Sequence, residues 1–193
     1  MLNNRPRCVR PRSYTLIELI MVMAVLALAA ALLVPNFMGS DTMRLQAAVR
    51  LFIADLSFAQ SDALANQEFR RVVFYDDGSG YCIIEVAAAE TTPDDLDDPG
   101  VIYVYDPLGM MGRYIVDYTR DDRFEGVSIS AATIDDVVLT DRPEITYDLM
   151  GGTVLSTSAS IPGLGGSVWL SYKDRTYRID ISPFTGKLTV VEE

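Results

Sequence analysis

The chain has no histidine among its 193 residues. That removes the commonest general base and the commonest metal ligand together. It has only two cysteines, Cys8 and Cys82. Cys8 lies in an arginine-rich head, so no disulfide framework is expected. Cys82 reads as a small apolar residue buried in a strand. The chain also lacks a Gly-x-Ser-x-Gly elbow, a phosphate-cradling glycine loop and a Cys-x-x-Cys pair. With those routes closed, no catalytic residue, cofactor site or metal-ligand set is assigned, and the chain reads as a non-enzyme.

Acid is missing from one place and abundant elsewhere. The first 13 residues carry Arg5, Arg7, Arg10 and Arg12 and no acidic residue. The whole chain has 16 basic and 27 acidic residues, so the remainder holds 12 bases against 27 acids. Such a body is repelled by nucleic acid and by anionic lipid headgroups. Its polybasic head belongs on the cytoplasmic side of a membrane.

What the sequence does have is a long apolar run. Residues 16–34 are apolar except for Glu18. As a helix they extend about 28 Å, against a hydrocarbon core of about 30 Å. The run exceeds the core of a secretory signal peptide, and no clean small-x-small cleavage site follows it. It is therefore expected to be kept as an anchor. Glu18 is the misfit, because a carboxylate deep in a membrane is costly. Either it sits at the membrane edge or it awaits a positive partner in an assembly.

The stretch Ser13-Tyr14-Thr15-Leu16-Ile17-Glu18-Leu19 resembles the processing site of type IV prepilins and type II secretion pseudopilins. The resemblance implies that prepilin peptidase cuts between Ser13 and Tyr14 on the cytoplasmic side and N-methylates Tyr14. Glu18 would be the fifth mature residue, and Pro35 stands where many pilins also have a proline. In assembled filaments of this family, such a glutamate meets the N-terminal ammonium of a neighbouring subunit, here that of Tyr14. The chain departs from the pattern in having Ser13, also small, where the family usually has glycine.

Beyond Pro35, Leu45, Ala48, Val49, Phe52, Leu56, Ala59 and Ala63 recur at spacings of three and four. They predict an amphipathic helix laying one stripe on a core, with Arg44, Gln46, Arg50, Asp55, Gln60 and Asp62 on other faces. Pro35 and Gly39 mark an interruption in one long helix over residues 14–66. After Gln67 the period switches to two. Residues 70–75 and 81–86 predict a hairpin around Asp76-Asp77-Gly78-Ser79-Gly80. Short strands are expected at 101–105, 113–118 and 127–129. A strand, Gly-Gly turn and strand follow in 144–156, a second hairpin in 167–180, and a last strand after 182–187.

A helix followed only by strands predicts an α+β fold, with antiparallel sheets packed on the helix stripe, and the resemblance implies that it is pilin-like. The expected organisation is a cleaved leader at 1–13, a transmembrane and filament-core helix at 14–35, the amphipathic helix at 36–66 and a β-rich head at 67–193. The head resembles GspH/FimT-like pseudopilins through "FAQSDALANQ", "ITYDLMGGTV" and "YRIDISPFTGKLTV". The acidic middle, from about Glu90 to Asp141, departs most and reads as an insertion.

The resemblance implies a minor pseudopilin of a type II secretion filament, single-pass in the inner membrane with its head in the periplasm. The expected partners are prepilin peptidase, other pseudopilins or pilins, the inner membrane and secreted substrate. The alternative is a minor pilin of a type IV pilus, serving assembly, adhesion or DNA uptake.

Two further site types are weighed. The carboxylates at 76–77, 94–98 and 121–122 are the hard oxygen donors that calcium takes, but none forms an EF-hand loop. They read as solvated turns. Lys173, Arg175 and Arg178 are the only basic candidate for phosphate contacts, and they alternate with Asp174 and Asp180. Nucleic acid is therefore not an expected partner.

Overall fold

The computed structural model describes residues 14–38, 40–87, 92–156 and 158–193. The side chains of residues 31–42 and of Ala159 fall outside that description. The chain divides into two compact units, one ending at Ser40 and one from Asp41 to Glu193. Helix α1 runs Leu16–Met38 and helix α2 Ser40–Asn66.

Among the described residues, twelve strands follow α2. Strands β1 (Phe69–Phe74), β2 (Gly80–Val86), β3 (Ile102–Tyr103) and β4 (Ile115–Asp117) come first. Then come β5 (Ser128–Ile134), β6 (Val137–Val138), β7 (Glu144–Tyr147) and β8 (Thr153–Leu155). The last are β9 (Ser158–Pro162), β10 (Gly166–Tyr172), β11 (Arg175–Ile181) and β12 (Leu188–Glu192). The first sheet has the order β3-β2-β1-β7-β8-β9, with β4 also on β2, and the second has the order β12-β11-β10-β5-β6. Every named pairing is antiparallel. The fold is thus α+β and pilin-like, with helices first and antiparallel sheets after.

The helix stripe forms as its spacing predicts. Leu45, Ala48, Val49, Phe52, Leu56, Ala59 and Ala63 are all buried. They join inward residues of both sheets in one core, among them Val72 and Ile83 from the first and Leu170 and Ile179 from the second. Phe52 sits at its centre, 5.3 Å from the Tyr81 ring edge-on and 5.9 Å from Phe74. Burying a phenylalanine of this kind is worth about 1.5–3 kcal/mol.

The outer face of the first sheet is also covered. Val73, Cys82 and Ile84 are buried there under Leu96, Val101 and Tyr103. Burial pushes the Cys82 thiol up to about 12, so it behaves as an inert apolar residue.

Several expectations change in detail. The hairpins β1–β2 and β10–β11 pair as predicted, for example Val72 with Ile83 and Leu170 with Tyr177. Strand β5 extends to Ile134, past the expected 129. Strands β6 and β9 were not expected. The acidic middle supplies β3 and β4 to the first sheet and β5 and β6 to the second. Asp55 does not lie on an outer face of α2 but is 3% exposed, on the side that meets the sheet.

Candidate functional site

Tyr14 and Thr15 precede α1 in non-helical backbone, and Tyr14 is 80% exposed. Ser13 and the leader lie outside the described residues. The Glu18 amide donates to the Thr15 hydroxyl oxygen at 3.3 Å. The Leu19 amide donates to the Thr15 carbonyl at 3.2 Å. Thr15 is therefore the N-cap, and Glu18 the third helical residue, the spacing of a capping box. An N-cap of this type is worth about 1 kcal/mol. A carboxylate in the first turn also faces the positive end of the helix dipole.

This gives Glu18 a local reason for its place. An ammonium created at Tyr14 would add positive charge at an already positive helix end. Glu18 is the only acidic residue in that turn to offset it. Leu16, Ile17, Leu19 and Ile20 around it are all more than half exposed, so the turn presents one carboxylate in an apolar surface. A helix apolar on every side needs lipid or neighbouring chains to cover it. Position 35 lies within α1, but the Pro35 side chain is outside the described residues. Among the described residues no helix is long and apolar enough to cross a membrane.

The acidic clusters resolve into turn chemistry. Seven described aspartates, Asp77, Asp95, Asp98, Asp106, Asp117, Asp121 and Asp148, each accept the amide two residues on at 2.7–2.9 Å. These are Asx turns, in which the side chain mimics a backbone turn. Hydrogen bonds from Ser79 hold the Asp77 carboxyl below its ordinary value, and Arg123 does the same for Asp121. Among the described residues no group of three acidic or sulfur ligands converges as a metal site would require.

The basic candidates are neutralised where they stand. Arg178 lies 3.0 Å from Asp180 and 2.9 Å from Glu193, and Arg175 lies 3.7 Å from Glu192. Lys173 sits over the Tyr172 ring at 5.0 Å.

Among the buried polar centres that escape sequence reasoning are those of Asp55 and Arg71. Asp55 accepts from the Tyr81 hydroxyl at 2.6 Å and from the Tyr114 hydroxyl at 2.8 Å. Burial raises its carboxyl above the ordinary value, and the two hydroxyls oppose that rise. Arg71 is fully buried on the outer face of the first sheet. It donates to Thr146 at 2.9 Å, Thr92 at 2.8 Å and the Ser156 carbonyl at 3.0 Å, and lies 3.7 Å from Glu144. Thr92 also donates to Glu144. Adjacent arginines in a period-two run put one side chain on each face of the sheet, and both Arg70 and Arg71 are buried.

No curated protein and no solved structure matches the chain. Residues 10–34 match the family described as the prokaryotic N-terminal methylation motif. That window holds Tyr14, the Thr15 cap and Glu18, and the family is one of structural subunits. Prepilin peptidase cleaves the motif, and proteins that carry it are anchored in membranes and assemble with other pilins. The motif and the α+β head together support a type IV pilin-like protein.

Proposed function

We propose that the chain is a minor pseudopilin, a GspH/FimT-like structural subunit in the pilus-like filament of a type II secretion system. Residues 16–34 anchor it in the inner membrane, with the leader in the cytoplasm and the head in the periplasm. Prepilin peptidase cuts between Ser13 and Tyr14 and the new Tyr14 amine is methylated. Glu18 then pairs with the Tyr14 ammonium of an adjacent subunit, and Pro35 marks the end of the filament-core segment.

The observation that carries this reading is the capped start of α1 directly behind an exposed, non-helical Tyr14. A peptidase needs extended chain at the bond it cuts, and here regular helix begins two residues beyond that bond. In a low-dielectric filament core, the Glu18 carboxylate and a Tyr14 ammonium attract strongly, and either alone is expensive.

The test is the mass of the mature N-terminus, from cells with and without prepilin peptidase. A methylated chain starting at Tyr14 is expected only when the peptidase is present; an intact Met1 in its presence defeats the proposal. Deleting the gene separates the two systems. Retained exoproteins with normal pili support secretion, whereas lost pili with normal secretion overturn it.

A further inference from the structure

An apolar knob projects from the head between β3 and β4. It spans residues 106–112, Asp-Pro-Leu-Gly-Met-Met-Gly. Leu108 is 95% exposed, Met111 87% and Met110 63%. The loop is held by its own backbone: Asp106 donates to the Gly112 carbonyl at 3.0 Å, Gly109 to Asp106 at 3.1 Å and Gly112 to Gly109 at 3.1 Å. Large apolar side chains fixed outward on an ordered loop mark an interaction surface.

The knob borders two grooves. One, of about 880 Å³, is walled by Leu108 and Met110 and floored by Leu51, Tyr114, Val116 and Phe124. The other, of about 450 Å³, lies on the Met111 side. Leu51, Tyr114 and Val116 are partly buried margins of the main core, so the larger groove opens onto apolar surface with a firm backing.

The rim fixes the occupant's charge. Four aspartates line the larger groove, Asp106, Asp117, Asp121 and Asp122, against Arg120 and Arg123. Each arginine already has a partner: Arg120 lies 3.1 Å from Asp117 and Arg123 lies 2.6 Å from Asp121. The rim therefore keeps a surplus of two carboxylates, Asp106 and Asp122. The excess of acid over the whole head acts in the same direction and repels anionic lipid and acidic peptide. Methionine beside leucine gives a surface that adapts to apolar side chains of different shape.

We propose that this knob and the larger groove form a docking site for a cationic amphipathic helix of a partner protein. Its apolar face would lie on Leu108, Met110 and the groove floor. Its Lys or Arg residues would reach Asp106 and Asp122. The mode is that of a helix in a groove, with charge setting orientation and on-rate. The inference rests on the head alone and is independent of the N-terminal reading.

The experiment uses the full chain in detergent micelles and a labelled Lys/Leu amphipathic peptide of about 15 residues, a length that sustains a helix. Three controls run beside it. They are the same composition scrambled to destroy the apolar face, the Glu/Leu counterpart, and vesicles of phosphatidylethanolamine with phosphatidylglycerol. Anisotropy should show binding of the amphipathic peptide alone, weakening with salt. The knob variant Leu108→Ser/Met110→Ser should bind about tenfold more weakly. The charge variant Asp106→Asn/Asp122→Asn keeps the Asx turn and should lose most of the salt dependence. Equal binding of the scrambled peptide, vesicle binding that the knob variant loses, or unchanged peptide affinity in the knob variant with its circular dichroism intact overturns the proposal.

Discussion

The Tyr81 hydroxyl donates to the Asp55 carboxylate at 2.6 Å, joining the middle of α2 to β2 inside the core. Tyr114 supplies a second hydroxyl from the segment ahead of β4. One carboxylate thus ties the helix to two places in the first sheet. The arrangement holds the helix in register, because sliding by one turn would leave three polar groups unpaired.

Tyr81→Phe removes one of those donors and keeps the ring. It should destabilise the head by about 1–3 kcal/mol, the range for a buried acceptor losing its partner. Urea unfolding of wild type and variant measures it. A change below a few tenths of a kcal/mol would mean that Asp55 draws its stability from elsewhere.

The same carboxyl sets a pH dependence whose sign is fixed by its raised value. Unfolded, Asp55 titrates near its ordinary value of 3.8; folded, burial holds it higher. Its contribution is therefore fullest below 3.8 and declines as pH rises through the folded value. Asp55→Asn removes that titration. The stability of the variant relative to wild type should rise with pH above 3.8, then level off. Paired denaturation series from pH 3.5 to 8 should show it, and a flat difference would contradict the buried placement.

Arg71→Met should cost about 3–5 kcal/mol, because it leaves Glu144 and two threonines facing an uncompensated gap. The double variant Arg71→Met/Glu144→Met should recover most of that loss, since apolar replacements for a buried pair are often neutral. Thermal melts of the two proteins decide the matter. A double variant no better than the single would show that the threonine contacts dominate.

Gly78 has φ +70°, and an added Cβ would collide with the Ile129 carbonyl oxygen. The Ile129 amide donates to the Gly78 carbonyl at 2.9 Å. The turn of the first hairpin is thereby stitched to β5 in the other sheet. Gly78→Ala should cost about 1–3 kcal/mol from backbone strain alone, read as a lower urea midpoint at unchanged slope.

Glu18→Ala should leave membrane insertion intact and block incorporation into filaments. An unpaired ammonium in the filament core would cost about 3 kcal/mol or more, over a hundredfold in equilibrium incorporation. Cross-linking of the variant with co-expressed subunits measures this. Normal co-assembly would remove Glu18 from its proposed role.

Much of the fold is visible in the sequence where a single period persists. The stripe from Leu45 to Ala63 repeats cleanly over five turns, and all seven of its members are buried. The two long hairpins alternate regularly around turn residues. Strand β5 is harder to see beyond Ile129, because Ser130 and Ala131 are small and exposed and break the apolar alternation. Strand β9 reads Ser-Ala-Ser-Ile-Pro and is held by pairing to β8 rather than by its own propensity. Asp55 misleads because a charge on a helix reads as solvated, and only the tertiary approach of Tyr81 and Tyr114 makes burial tolerable. At the N-terminus, Tyr14, Thr15 and Glu18 are legible as a motif, and the cap that Thr15 provides is legible from the capping-box spacing. The docking knob is not, since exposure of Leu108 and Met110 depends on how residues 106–112 close on themselves.

The seven Asx turns make surface charge and loop shape a single property of this head. Each aspartate that closes a turn also adds a negative charge at the surface. Swapping one for asparagine discharges the surface and keeps the turn; swapping it for alanine loses both. The head's acidity and the order of its connecting segments are thus bound to rise and fall together.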